Sequence, residues 1–437
     1  MGHLGRLKEE YRALVDRLDA APVTLPEPED AKAWSGWKEI LEILFTPEEA
    51  ELASRMPVLP STLDTVARRL GMSPEELKPR IDEMCHKGLV MDLVNPGTGK
   101  TIYLLSPPVV GFFEFSFMRA HDMFPKKRLA EAMDAYLHGD RAFASQVFGG
   151  GTVIGRALVR EDRVAAEALP DVLDWERATA IVDGAKGIAV TLCYCRHKRE
   201  HLGRACDAPK EICLSFDMAA DFLVRRGLAR TIERAEAADI LASARQHGLV
   251  QIADNVRNRP FWICNCCGCC CEQLVAINEY ALPAVNPSGY EPHMDEATCL
   301  GCSRCSRTCP ITAISMMARR NPSHRKNELR PHIDLDRCIG CGVCSGVCPR
   351  KSLRMKRRNR SPRVPASALE KSLRMAIERG KLPHLLFDQG ASRGSRFLNQ
   401  ALHVLQRLPL ASRIMAGEQV QSRFVRGVLA RVRDPMS

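Results

Sequence analysis

Two stretches decide how the chain is read: Cys299-Leu-Gly-Cys302-Ser-Arg-Cys305-Ser-Arg-Thr-Cys309-Pro310 and Cys338-Ile-Gly-Cys341-Gly-Val-Cys344-Ser-Gly-Val-Cys348-Pro349. Each has the spacing C-x2-C-x2-C-x3-C-P, which holds a [4Fe–4S] cube through thiolates. Three cysteines on one tight loop face a single cube, whereas the fourth, leaving on a helix, points elsewhere. Where two such runs occur together, that fourth thiolate ligates the other cube. The spacing therefore predicts one cluster on Cys299, Cys302, Cys305 and Cys348, and a second on Cys338, Cys341, Cys344 and Cys309. Gly301, Gly340 and Gly342 leave backbone amides free to approach the sulfurs, and Pro310 and Pro349 fix φ where each loop departs. Structural zinc pairs C-x2-4-C units, not runs of three closed by Cys-Pro, so zinc is the weaker reading here.

These residues resemble the bacterial two-[4Fe–4S] ferredoxins over about residues 290–355. The resemblance implies a small α+β domain with pseudo-twofold symmetry and one-electron transfer at low potential. One departure concerns the link from Cys309 to Cys338. It is longer than in compact ferredoxins and carries Arg319, Arg320, His324, Arg325, Lys326 and Arg330, which reads as a basic loop beside the clusters.

At 437 residues the chain has room for two to four domains, and its 45% hydrophobic content suffices for buried cores. Nineteen cysteines would suggest disulfides in a short secreted chain. This chain is long, and Met1–Ala20 reads as a charged amphipathic helix, with Leu7, Tyr11, Leu14, Val15 and Leu18 on one face, not as a secretory signal. No apolar run approaches the roughly 18 residues needed to span a bilayer. All cysteines but Cys85 fall in closely spaced groups, so a reducing, cytoplasmic compartment and metal ligation are expected. The net charge of +11 is uneven: Lys351–Ser437 holds 19 Lys and Arg against 5 Asp and Glu.

Residues 36–106, after an N-terminal helix over 1–35, read as a winged-helix-like domain. A helix is predicted over Trp37–Arg55, then a short one capped by Ser61-Thr62 and ended by Gly71. Ser73-Pro74-Glu75-Glu76 has the capping-box pattern and opens a helix running to Lys87-Gly88. Leu89–Leu93 and Thr101–Leu105 then form a hairpin. A helix that reads DNA presents Arg, Lys, Asn or Gln to the groove. This one carries Glu75, Glu76, Asp82 and Glu83 against Lys78, Arg80 and Lys87, which favours packing or protein contact. Cys85 reads as a buried lone thiol. Gly97-Thr98-Gly99-Lys100-Thr101 echoes a phosphate-binding loop, but Val94 stands where the first glycine is required and the segment lies on a hairpin.

Residues 107–170 read as a helical connector, with Gly149-Gly150-Gly151 as a hinge or turn. Residues 171–288 form a second cysteine-rich region, expected to be α/β. Its strand Ile188–Leu192 runs into Cys193-Tyr-Cys195-Arg196-His197-Lys198, with Cys206 and Cys213 following. A later strand at Phe261–Ile263 delivers Cys264-Asn-Cys266-Cys267-Gly-Cys269-Cys270-Cys271. If the two strands are neighbours, the thiols converge where α/β ligand sites lie. Ten thiols allow one or two further Fe–S clusters, or a zinc site from Cys193, Cys195, Cys206 and Cys213; unligated adjacent thiols would be reactive liabilities. Arg196, His197, Lys198, Arg199 and His201 read mostly as a solvated basic face. Arg196 and His197 are the best placed to balance cluster charge.

The joint occurrence of these features resembles a multidomain 4Fe–4S-binding family of anaerobic bacteria, which implies Fe–S binding and electron transfer and names no substrate. After the dicluster region at 289–355, the basic helical tail at 356–437 begins with a solvated linker, Lys356–Arg360. Two amphipathic helices follow: one with Phe397, Leu398, Ala401, Leu402, Leu405 and Leu408 on a face, the other with Phe424, Val425, Val428, Leu429 and Val432. Packing onto the protein is expected ahead of an acidic partner, a membrane surface, and last nucleic acid. The overall expectation is an α+β multidomain electron carrier serving a partner oxidoreductase. The alternatives are a redox-sensing winged-helix regulator, or a subunit with a catalytic cluster at the cysteines of 193–271.

Overall fold

A computed structural model describes residues 7–119, 123–164, 172–318 and 329–386. The two tail helices expected beyond residue 396 and the basic link over 319–328 lie outside the described residues.

Helix α1, Glu9–Asp19, buries Tyr11, Leu14, Val15 and Leu18, the apolar face of the sequence pattern. The single helix expected over Trp37–Arg55 is two, α2 Ala31–Leu44 and α3 Pro47–Ser54. The break is local chemistry. Thr46 and Glu49 form a reciprocal capping box and Pro47 takes the first helical position, so a new helix starts where the old one would have continued. Next come α4 Leu63–Leu70, α5 Pro74–Lys87 and the antiparallel strands β1 Val90–Val94 and β2 Thr101–Leu105. Gly71 and Gly88 end α4 and α5 in the left-handed conformation, and Ser73 with Glu76 forms the expected capping box. In the turn between β1 and β2, Asn95 Oδ1 accepts from Gly97 N and Thr98 N on an exposed tip.

The segment expected as a helical connector is more than that. It contains α6 Phe113–Phe115, α7 Lys126–Gly139 and α8 Ala142–Phe148, and then a strand, β3 Gly155–Ala157. Helix α7 packs along α2, and β3 enters the large sheet. The triple glycine at 149–151 forms the bend before that strand.

The sheet is completed by β4 Ile188–Leu192, β5 Glu211–Phe216, β6 Arg230–Thr231, β7 Val250–Asp254, β8 Trp262–Cys266 and β9 Val285–Asn286. Its order is β6-β4-β5-β8-β7-β3-β9, with every pairing antiparallel except β3 with β9. The helices of this region are α9 Ala178–Gly184, α10 Tyr194–His201, α11 Asp217–Arg225, α12 Arg234–Gln246 and α13 Glu272–Tyr280. The strands carrying the cysteines, β4 and β8, are not neighbours. β5 lies between them and runs against both, so the carboxyl ends of β4 and β8 and the start of β5 share one end of the sheet.

At that end sits the dicluster region, built from β10 Tyr290–Met294, α14 Arg304–Thr308, β11 Ile314–Ala318, β12 Leu329–Ile333, α15 Val343–Gly346 and β13 Leu353–Arg357. β10 pairs with β13 and β11 with β12, both antiparallel, while α14 and α15 pack on each other. Lys356–Arg360 is not a solvated linker: Lys356 and Arg357 belong to β13, and Arg358 donates to Ser288 O, Tyr290 O and Cys338 O. The chain then returns across the sheet, where Arg257 N donates to Pro365 O and Asn258 N to Ala366 O, and continues as α16 Ala368–Glu378 and α17 Leu382–Leu386. Among the described residues no helix is long and apolar enough to cross a membrane.

Candidate metal centres

Eighteen cysteines lie at one end of the large sheet and in the module docked there; Cys85 is apart, buried in the N-terminal core. All are free thiols. The eight of the dicluster region fall into two sets. Cys299, Cys302, Cys305 and Cys348 line one pocket, together with Gly301, Met316, Pro331 and Pro349. Cys309, Cys338, Cys341 and Cys344 line a second, with Pro310, Ile311, Ile314 and Ile339. Four sulfurs facing one shared space form a donor set for an inorganic group.

The donor chemistry fits such a group. Each set offers four sulfurs; the second is walled by apolar side chains, and the first also by Ser303, Arg304, Arg350 and Ser352. Gly301 N donates to Cys299 Sγ and Gly340 N to Cys338 Sγ, each at 3.4 Å, and Ala313 N donates to Cys309 Sγ at 3.3 Å. Amides aimed at sulfur favour its anionic form. Burial pushes the Cys341 thiol up to about 12, and Cys338 and Cys344 also upward, so ionised sulfur here calls for a cation to offset it.

The ten cysteines of the middle region separate differently. Cys206, Cys267, Cys269 and Cys270 form one group, with all four Sγ atoms within 4.8 Å of one another. Cys193, Cys195, Cys213, Cys264, Cys266 and Cys271 form a closed ring of side-chain contacts. Cys193 meets Cys195 and Cys213, Cys271 meets Cys195 and Cys266, and Cys264 meets Cys213 and Cys266. The contacts couple the six thiols to one another. Their ionisations belong to the group: each sulfur that loses its proton accepts from its neighbours and makes the next harder to ionise in this buried setting. The four thiols that sequence joined as a zinc site (Cys193, Cys195, Cys206 and Cys213) are therefore divided, because Cys206 lies with the Cys267–Cys270 turn and not with the ends of β4 and β5.

Arg196 is fully buried beside both groups. It donates through Nη1 to Pro209 O at 3.0 Å and through Nη2 to Asn265 O at 2.7 Å, while its Nε makes no hydrogen bond. Burial alone would lower its pKa, but the surrounding cysteine sulfurs, those of Cys193 and Cys267 first, outweigh that and keep it cationic. The expectation of a solvated basic face fails for its neighbours. Arg196, His197, Lys198 and Arg199 are all buried because α10 is enclosed by α6 and α7. His197 is turned from the thiols: its Nδ1 meets Phe117 O at 2.6 Å and its ring packs on Phe117 and His201.

Lys198 was read in the sequence as part of a solvated face, and several other residues that position the centres were not picked out there. Lys198, with no exposed side-chain surface, pairs with Glu272 at 2.6 Å and lies over the Tyr194 ring. Burial would raise the Glu272 carboxyl, but the Lys198 charge and His138 hold it well below the usual range. Removing one member of such a pair leaves an uncompensated buried charge and costs about 3–5 kcal/mol. The only signal was the adjacency of Glu272 to Cys271. Gly268 is a second case: a Cβ there would lie 2.2 Å from Pro310 O, so the turn bearing Cys267, Cys269 and Cys270 rests on the residue after Cys309. Asn278 bridges the two through Nδ2, donating to Pro310 O at 3.0 Å and Gly268 O at 3.4 Å, and Arg337 donates to Asn278 Oδ1 and Ile311 O. A third is Arg160, which packs against Gly342 and Gly346 and donates to Arg245 O.

No curated protein and no solved structure matches the chain. Residues 298–352 match the model of the 4Fe-4S dicluster domain. The chain thus carries a 4Fe-4S dicluster domain over residues 298–352, and that match, with the two four-thiol pockets and a middle cysteine group able to hold a metal, suggests an iron–sulfur electron-transfer role.

Proposed function

We propose that this chain is a ferredoxin-type carrier that passes single low-potential electrons to or from a partner oxidoreductase. The observation that supports this most directly is the division of eight thiols into two cavity-lining sets of four, each with a backbone amide aimed at sulfur. On this reading Cys299, Cys302, Cys305 and Cys348 hold one [4Fe–4S] cluster, and Cys338, Cys341, Cys344 and Cys309 hold the other. Bound there, the clusters supply one-electron exchange, within the range of roughly −700 to +450 mV open to Fe–S centres. The protein's part is to keep the sulfurs in place, direct amides at them and exclude water with Ile311, Ile314, Ile339 and Leu353. The middle cysteines hold further metal or Fe–S centres, with Arg196 offsetting their charge. Cys302 and Leu300 are exposed, which leaves the first set open to a redox partner protein.

The acidic helix α5 takes a packing role, since Arg226 of the α11 end pairs with Asp82 at 3.0 Å and with Asp92 at 2.6 Å. No nucleic-acid contact is proposed. The test is iron and sulfide quantification on the full chain prepared without oxygen, followed by spin counting after chemical reduction. At least roughly eight irons and reversible uptake of electrons are expected for two cubes. Fewer irons, or a protein that accepts no electrons, overturns the reading.

A further inference from the structure

The middle cysteines are unequal in a way their order along the chain does not reveal. Cys206 Sγ lies 3.6 Å from Cys267 Sγ and 3.9 Å from Cys270 Sγ, and Cys269 Sγ lies 3.7 Å from Cys270 Sγ. All four are mutually within 4.8 Å. Four sulfurs arranged tetrahedrally about one ion at a metal–sulfur distance of ~2.3 Å stand about 3.8 Å apart. Thiolates of a cube each bind a different iron and must stand farther apart. The separations therefore fit a single ion. They do not fit a cube.

The donor set also selects the ion. Four cysteine sulfurs leave no position for water or substrate, which is the signature of a closed structural site. Sulfur-only tetrahedral coordination suits zinc, and zinc outranks ferrous iron in affinity for a given divalent site. Four thiolates around a divalent ion leave a net charge of −2, which the buried Arg196 guanidinium beside Cys267 partly offsets. No other group of three or more His, Cys, Asp or Glu among the described residues clusters so tightly. The other six thiols of this region lie outside this group.

We propose that Cys206, Cys267, Cys269 and Cys270 bind one zinc ion, mononuclear and redox-inert, apart from every iron–sulfur centre of the chain. The ion fastens the loop carrying Cys206 to the turn that rests through Gly268 on Pro310, and so fixes the middle region against the dicluster module. The inference does not depend on the dicluster assignment, because its readout is zinc and not iron.

The test uses the full chain, produced with both zinc and iron supplied and purified without oxygen. About one zinc per chain is expected, and X-ray absorption at the zinc edge should show a first shell of four sulfurs at ~2.3 Å. Cys206→Ser and Cys269→Ser should each lower zinc retention at least tenfold while the spin count of the reduced dicluster domain stays unchanged. Cys213→Ser, from the six-thiol ring, should retain its zinc. Should the serine variants fail to fold, cobalt(II) exchanged into the unaltered chain serves instead, and intense sulfur-to-cobalt charge-transfer bands with tetrahedral ligand-field bands are then expected. Absence of zinc, iron in the four-sulfur shell, or equal zinc loss in Cys213→Ser overturns the proposal.

Discussion

The two halves of the dicluster region share one local plan but face different surroundings. In each, a glycine amide reaches the first cysteine sulfur at 3.4 Å, through Gly301 in one and Gly340 in the other. In each, a serine one residue after the third cysteine donates to a strand carbonyl at 2.7 Å, Ser306 to Ile314 O and Ser345 to Leu353 O. The positions between the cysteines diverge. Leu300 is 45% exposed, whereas its counterpart Ile339 is 4% exposed and joins the main core. Arg304 is exposed where Val343 is fully buried. Ser303 adopts the left-handed conformation on the first half, and Gly342 does so on the second, where a Cβ would press on Arg160 at 3.2 Å. Ligand spacing sets the shape of a cluster loop, and the residues between the ligands decide whether that loop meets water or protein.

The sharpest break of this comparison is to remove one ligand from each half. Cys302→Ala and Cys341→Ala should each cost one cube, about four irons of roughly eight in the domain. Only Cys341→Ala should also lower the melting temperature of the large sheet, followed by circular dichroism; equal losses would refute the inner and outer distinction. Next in size, Ile339→Ala should destabilise the chain by about 2–5 kcal/mol, while Leu300→Ala stays within about 0.5 kcal/mol, both read by denaturant titration. The seam between the inner half and the thiol turn is tested by Gly268→Ala. Forcing a methyl against Pro310 O should cost about 1–3 kcal/mol and raise hydrogen exchange at residues 266–271. Smallest is the conformational pair. Gly342→Ser should cost about 1–2 kcal/mol, and Ser303→Gly should be neutral or slightly stabilising, since only the first adds strain at positive φ.

The elements legible in the sequence were those specified by neighbouring residues. The capping box at Ser73, the glycine stops at Gly71 and Gly88, the hairpin and the two cysteine runs each declare themselves within a few positions. The same kind of signal was present but passed over at Thr46-Pro47-Glu48-Glu49, where a helix ends and another begins, and at Ser367, whose side chain accepts from Glu370 N to open α16. What stayed hidden depends on long-range order. Nothing near Ile188 or Trp262 reveals that β5 separates their strands, so the thiols of β4 and β8 could not be grouped correctly. The burial of Lys198 likewise rests on Glu272, 74 positions away, and an isolated reading of so basic a segment points to water.

The route of the chain after β13 bears on how the protein can be taken apart. Residues 365 and 366 hydrogen-bond to Arg257 and Asn258, Lys371 pairs with Asp254, Glu378 accepts from Thr152, and Lys381 pairs with Asp19. The cluster-bearing module is consequently an insertion clamped at both of its borders, not a bead at the end of a string. A truncation placed just behind it would strip a strap from the body that precedes it, leaving Asp254 as a buried carboxylate without its ammonium partner.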